Sequence, residues 1–193
     1  MSNTFEAEEY YEQVFRGLDL FEVEIKNKSF DRCKFVKCNF SKCDLSGSEF
    51  SDCIFDHCSI SLSRFANCSF RTVKFKNTKL VGIDLTKCTI NFFELGFTRC
   101  LIDTCNFSTL PMKNIPFEEC LIRECTFNET NLSKATFDCC DLERTLFHHA
   151  KLEGTDFSTA KNYSINPIDN SIKGAKFSLP EAVSLLRAFD IEL

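Results

Sequence analysis

The sequence predicts an all-β fold: a right-handed, four-sided β-helix, closed at its C-terminal end by a short α-helix. Three observations predict it. From Phe30 to Phe70 a large apolar residue occupies every fifth position: Phe30, Phe35, Phe40, Leu45, Phe50, Phe55, Ile60, Phe65 and Phe70. A small residue stands two places before most of these centres, at Cys33, Cys38, Cys43, Ser48, Cys53, Cys58, Ser63 and Cys68. A period of five also fits neither a helix nor an ordinary strand, whose apolar spacings are about 3.6 and 2. One short extended piece plus one corner does fit, and four such pieces make a square turn of about 20 residues.

The centre and the residue two before it share parity, so both point inward while the other three point out. Phe fills the middle of the square, and Cys or Ser fills the space toward the corner. Stacked turns then lie ~4.8 Å apart with hydrogen bonds running from turn to turn. The expected hand is that of parallel crossovers, which are right-handed.

Residues 1–14 carry four Glu and no Lys or Arg. They are expected to cap the open end of the first coil, with Phe5, Tyr10, Tyr11 and Val14 covering it. The coil proper is expected over 15–157. Its centres keep one frame from Phe15 to Ile90, then slip by two, so that Phe92, Phe97, Ile102, Phe107, Met112 and their successors to Phe157 carry the second half. The frame break at 90–92 requires a bulge or an altered corner. Pro111 and Pro116 precede centres, and are expected on a face where the amide donor is dispensable. The predicted core includes Phe35, Phe40, Phe50, Phe55, Phe65, Phe70, Phe117, Phe127 and Phe137.

Residues 158–193 read as a looser last coil, a capping helix and a dimerisation tail. Asn166-Pro167 marks a surface excursion. Ser178 and Glu181 form a capping-box pair, and Pro180 suits the first turn. Ala182, Leu185, Leu186 and Phe189 make an inward stripe, with Glu181, Ser184 and Arg187 opposite. Val183, Leu186, Phe189, Ile191 and Leu193 supply more apolar surface than a cap needs, and are the candidate interface of a two-fold homodimer.

Composition agrees with a solid column. Of 22 Phe, 18 fall on centres, and Phe5, Phe21, Phe93 and Phe189 are the exceptions. Aromatics placed inside do not form a nucleic-acid stacking platform. Twelve of the 13 Cys occupy the small inward site, and Cys139 alone points outward. Buried free Cys behaves as a small hydrophobe, and no zinc-type spacing accompanies these residues. The start of the chain lacks a basic region followed by an apolar run, and no apolar stretch approaches about 18 residues. No membrane association is expected, and the cytoplasm is the expected location.

Charge is segregated along the chain. Residues 15–90 hold 13 basic and 9 acidic groups, whereas 91–157 hold 6 and 11. Residues about 20 apart stack on one face. Glu118, Glu119, Asp138 and Asp156 therefore form an acidic ladder offset only by Arg99. Like charges on neighbouring strands are destabilising, which makes this ladder the candidate partner-binding face. In the basic half Lys34, Lys37, Lys74 and Lys76 share one stacked face, with Asp56 and His57 between the pairs. The next face, with Asp103, Arg123, Glu124, Asp141, Glu143 and Arg144, neutralises itself. His57, His148 and His149 flank no predictable nucleophile, and no phosphate loop, G-x-S-x-G or H-E-x-x-H is present. No catalytic residue, metal site or cofactor is expected.

The repeats CKFVK, CNFSK, CDLSG, SEFSD and CIFDH resemble those of the pentapeptide-repeat family, over about Phe15 to Phe157. Within it the chain is most similar to stand-alone bacterial members, the Qnr-type quinolone-resistance proteins and the mycobacterial and microcin-immunity relatives. That resemblance implies a non-enzymatic homodimer joined through its C-terminal segment. It implies binding to type II topoisomerase, DNA gyrase or topoisomerase IV, by mimicry of duplex DNA, with an effect on quinolone or toxin sensitivity. One departure stands out: Gram-negative Qnr proteins project two loops, whereas Phe15 to Ile90 has no insertion. A scaffold rod with another protein partner is the alternative, and direct nucleic-acid binding is not expected.

Overall fold

The five-residue rhythm winds the backbone into a stack of about eight four-sided turns followed by one short helix. This computed structural model describes residues 5–189 and residue 191. Every strand pairing is parallel, and most registers join residues 20 apart, such as Phe30↔Phe50 and Phe117↔Phe137. The first face carries Tyr10, Phe30, Phe50 and Phe70 in a four-stranded sheet. The second carries Phe15, Phe35, Phe55, Phe75, Phe97, Phe117 and Phe137 in a seven-stranded sheet. The third carries Ile60, Leu80, Ile102 and Ile122. The fourth is held mostly by single bridges, among them Asp44↔Arg64 and Asn106↔Thr126.

The centres fill the column. On the second face, phenyl rings stack without a gap from Phe15 to Phe177, with centroids 4.7 to 5.5 Å apart. Those spacings follow from the strand separation of ~4.8 Å. Rings on adjoining faces meet edge-on, as Phe30 and Phe35 do at 74°, and so do rings across the column, as Phe117 and Phe127 do at 90°, which suits the ring quadrupole. All nine predicted core phenylalanines are buried.

The small inward residue does more than fill space. Its side chain donates to the carbonyl of a centre 23 residues back: Cys53 Sγ to Phe30 O, Ser48 Oγ to Ile25 O, Thr130 Oγ1 to Phe107 O. Asn170 Nδ2 does the same to Phe147 O, 3.0 Å away. Burial pushes the Cys43 thiol up to about 11, and the Cys53 and Cys68 thiols up to about 12. These groups therefore keep the proton they donate.

Most corners turn on a left-handed residue two places after the centre, from Glu12 (φ 50°) to His149 (φ 51°). This conformation costs an L-residue roughly 1–2 kcal/mol. Glycine removes the cost at Gly17, Gly47, Gly82 and Gly154. At Gly82 the room is also needed, because an added Cβ would lie 2.7 Å from Leu62 Cδ2.

The frame break differs from the sequence expectation. Ile90 and Phe92 are not inward centres; they are 57% and 76% exposed. Phe92 is a left-handed corner residue (φ 59°) under the Arg71 guanidinium, 5.0 Å from its ring centroid. Phe93 turns in instead, edge-on to Phe70 at 6.2 Å. The register across the break lengthens from Ser69↔Thr89 to Val73↔Leu95, so two extra residues are absorbed in the 89–94 knuckle.

Three further expectations change. Glu9–Tyr11 already pairs with Ser29–Asp31, so Tyr10 is a ring of the first face, and Phe5 lies across the end within 5.4 Å of Tyr10, Phe15 and Phe30. The residue before a centre elsewhere donates its amide to the coil below, as Lys74 N does to Cys53 O and Thr136 N to Ile115 O. Pro116 has no such donor, so its position is a ladder position with a missing rung. The pairing there shrinks to Phe97↔Phe117 and Thr98↔Glu118.

The third change is at the C-terminus, where Glu181–Phe189 is a 3-10 helix rather than an α-helix. Ser178 Oγ donates to Ser158 O instead of capping it, and Ser184 Oγ donates to Tyr163 O, so Ser184 faces the coil. Leu185 packs on the core while Phe189 is exposed. At about three residues per turn, side chains three apart eclipse, and the stripe expected at α-helical spacing does not hold its line.

Candidate partner-binding surface

With the interior filled, recognition falls to the outward side chains, and the second face is unlike its neighbours. The row just after its centres reads Val36, Asp56, Lys76, Thr98, Glu118, Asp138 in consecutive register. The row just before them reads Lys34, Ile54, Lys74, Gly96, then Pro116, Thr136 and Asp156. Next to Thr98 and Gly96 the charges change from Lys76 and Lys74 on one side to Glu118 and Asp138, then Asp156, on the other, with Asp56 an acidic exception among the basic rungs.

The predicted acidic residues are brought together as a ladder. Glu118 and Asp138 are register neighbours. With Asp156 they line an open depression of about 300 Å³, together with Thr136, Ser158 and Thr159. Glu119 stands at the adjoining corner (φ 51°). Thr98 Oγ1 donates to Glu118 (3.2 Å) and Thr159 Oγ1 to Asp138 (2.8 Å), which holds both carboxylates in place.

The expected offset by Arg99 does not occur. Arg99 Nε donates to Asn77 Oδ1 at 3.0 Å, and the cation that reaches the ladder is Lys176, 3.0 Å from Asp156. Hydrogen bonds from Ser158, and then Lys176, hold the Asp156 carboxyl below its ordinary range against partial burial. Among the described residues, Glu118, Glu119 and Asp138 have no cation within 4.0 Å, and Lys74, Lys76 and Arg99 have no carboxylate. Lys34 is paired with Asp56, at 3.6 Å.

The third face spends its charge internally: Arg123 meets Glu143 (3.4 Å), Arg144 meets Glu124 (3.1 Å), and Lys161 meets Asp141 (3.8 Å). On the fourth face Asp44 takes both Lys26 and Arg64.

Val183 and Phe189 of the helix and Ile191 beyond it are exposed, Leu186 is half-buried, and Leu193 lies outside the described residues. A groove of about 660 Å³ separates this helix from the last coil, with Glu143, Tyr163, Glu181 and Arg187 on its walls. The outside of the column is thus less featureless than the repeat pattern implies. Sequence reading missed the protruding Ile90 and Phe92, although the two-residue slip marks the place.

A filled four-sided solenoid that presents only its outer surface defines the class of pentapeptide-repeat proteins. The chain belongs to that family: the model described as "Pentapeptide repeat region" matches residues 28–107, and "Pentapeptide repeats (8 copies)" matches 117–161.

Among solved structures it is similar to QnrB1, described as a plasmid-mediated fluoroquinolone resistance protein. Identity is 18%, coverage 95% of this chain and 99% of that one, and the TM-score 0.55. It is similar also to HetL, involved in heterocyst differentiation regulation in the cyanobacterium Nostoc, at 14% identity, 89% and 86% coverage and a TM-score of 0.39. No curated protein sequence matches the chain. No described helix is long and apolar enough to cross a membrane.

Proposed function

We propose that this protein is a non-enzymatic binding rod for a type II topoisomerase, DNA gyrase or topoisomerase IV, which it engages by imitating duplex DNA. One observation carries the reading: among the described residues Glu118, Glu119 and Asp138 stand without a cation on a rigid ladder, backed by the stacked rings of Phe97, Phe117 and Phe137. Fixed carboxylates at ~4.8 Å intervals offer a basic DNA-binding saddle a row of negative charge. The solenoid shared with a fluoroquinolone resistance protein supports this choice of partner class.

The working form is a cytoplasmic homodimer joined through Val183, Leu186, Phe189, Ile191 and Leu193, which doubles the length of the rod. The test is gyrase supercoiling and topoisomerase IV decatenation with and without the protein, each with and without ciprofloxacin. Inhibition or drug protection that disappears in Glu118→Lys/Asp138→Lys supports the reading. Unchanged activity of both enzymes overturns it.

The basic rungs of the same face favour a second reading, an interaction rod for a different protein, because Lys74, Lys76 and Arg99 repel a DNA-binding surface. Leu186→Asp/Phe189→Asp is expected to abolish association through the tail, and a tail-mediated dimer that persists would retire that interface.

A further inference from the structure

We infer that the second face is self-complementary, and that two copies of this chain pair along it side by side and antiparallel. Three observations on the face agree. Its charge changes sign between the Phe97 and Phe117 rungs, with Lys74, Lys76 and Arg99 on one side and Glu118, Glu119 and Asp138 on the other, while Asp56 and Lys176 further out are each paired within the chain. The charges nearest that point are the ones left unpaired within the chain, whereas those of the third face are used up internally. And the point itself is low: Gly96 has no side chain, and a Cβ there would rest 3.6 Å from the ring of Pro116, which stands directly above it.

A two-fold axis lying in the face, perpendicular to the rod and midway between those rungs, maps each rung onto its counterpart and leaves each row in place. It sets Arg99 against Glu119 of the second copy and Lys76 against Asp138 of the second copy, and each pair occurs twice. Gly96 meets Pro116, so the two flattest positions are where the backbones approach. An isologous contact of this kind closes at two copies. Complementary charge sets its register and its rate of formation, with like-charge contacts penalising a parallel arrangement. The contact is separate from the C-terminal tail and covers Glu119 and Asp138, so a topoisomerase and the second copy compete for them, and its existence does not depend on the topoisomerase reading.

The test is sedimentation of the full chain in the Leu186→Asp/Phe189→Asp background, where tail association is removed, at about 0.05 M and about 0.5 M salt. The expected result is a dimer at low salt that dissociates at high salt. Lys76→Glu/Arg99→Glu and Glu119→Lys/Asp138→Lys should each weaken self-association by at least about tenfold, which is about 1.4 kcal/mol. Mixing the two reversed proteins should restore a one-to-one dimer, because at positions 76, 99, 119 and 138 one then presents only acid and the other only base.

A monomer at both salts, or a dimer indifferent to both reversals, overturns the proposal. So does failure of the mixed pair. If the tail variant does not fold, the same reversals in the intact chain should lower the sedimenting mass at low salt. An unchanged mass there also overturns it.

Discussion

The second and third faces are built from the same repeat, share the same coils and lie at right angles, yet they treat charge in opposite ways. On the third face Arg123, Glu143, Arg144 and Glu124 are matched across consecutive turns. On the second, Glu118 faces Asp138 in register, and the cations that could relieve them lie further down the rod. Exposed pairs of the first kind contribute 0–1 kcal/mol, and like charges directly opposite cost a similar amount. The ladder interior outweighs either sum, so the solenoid tolerates both patterns. The difference teaches that this fold separates its stability from its surface, leaving an unmatched row available to a partner.

The strongest way to break that comparison is to attack the interior beneath each face on one coil. Phe117→Ala removes a ring stacked 4.9 Å from Phe97 and 4.8 Å from Phe137, and should cost roughly 3–5 kcal/mol. Ile122→Val, one face further on, should cost about 0.5–1.5 kcal/mol. Urea denaturation of both measures the gap. Equal losses would mean that the phenyl stack is not what distinguishes the seven-stranded sheet.

The corner side chains come next. Thr130→Val keeps the shape of a fully buried residue and deletes its bond to Phe107 O, 2.9 Å away. The expected loss is about 1 kcal/mol. Thr130→Ser should recover most of it, as Ser48 and Ser63 make the same bond. A Val variant as stable as the parent would return this site to mere space filling.

Much of this was legible in the sequence, for definite physical reasons. A period of five that alternates inside and outside has one geometric solution, so Phe35, Phe55 and Phe117 fall where the spacing puts them. The donor role of Cys53 and Thr130 was hidden because volume alone accounts for Cys, Ser, Thr and Ala at that site. At 89–94 the slip itself is visible, but not which residue absorbs it: Phe92 and Phe93 are chemically identical, and only backbone φ decides which one faces solvent. The acidic ladder follows from spacing, whereas the choice of Lys176 over Arg99 as its cation depends on side-chain reach. The helix resisted reading because α and 3-10 windings of one nine-residue segment place Ser184 and Phe189 on different sides.

Acid separates the one paired carboxylate of the ladder from the rest. The Asp156 carboxyl is held below its ordinary range in the folded chain by Ser158 and Lys176. A depressed folded pKa means that its contribution is present above the unfolded value, about 3.9, and is lost as pH falls through the folded one. Asp156→Asn should therefore lower Tm by a few °C at most at neutral pH. The difference from the parent should close as the pH falls below about 4. A gap that widens in acid would contradict the pairing with Lys176.

The smallest effect is also the sharpest, because its sign differs between the faces. Glu118→Gln keeps an acceptor for Thr98 and removes a charge opposite Asp138. Stability should stay level or rise by a few tenths of a kcal/mol. Glu124→Gln is the same change on the third face, where it removes the partner of Arg144, 3.1 Å away. Stability there should fall by a similar amount. Paired thermal melts at low salt resolve the two signs, and both shifts should shrink as salt is added. If the two substitutions move Tm in the same direction, the faces do not differ in how they spend their charge.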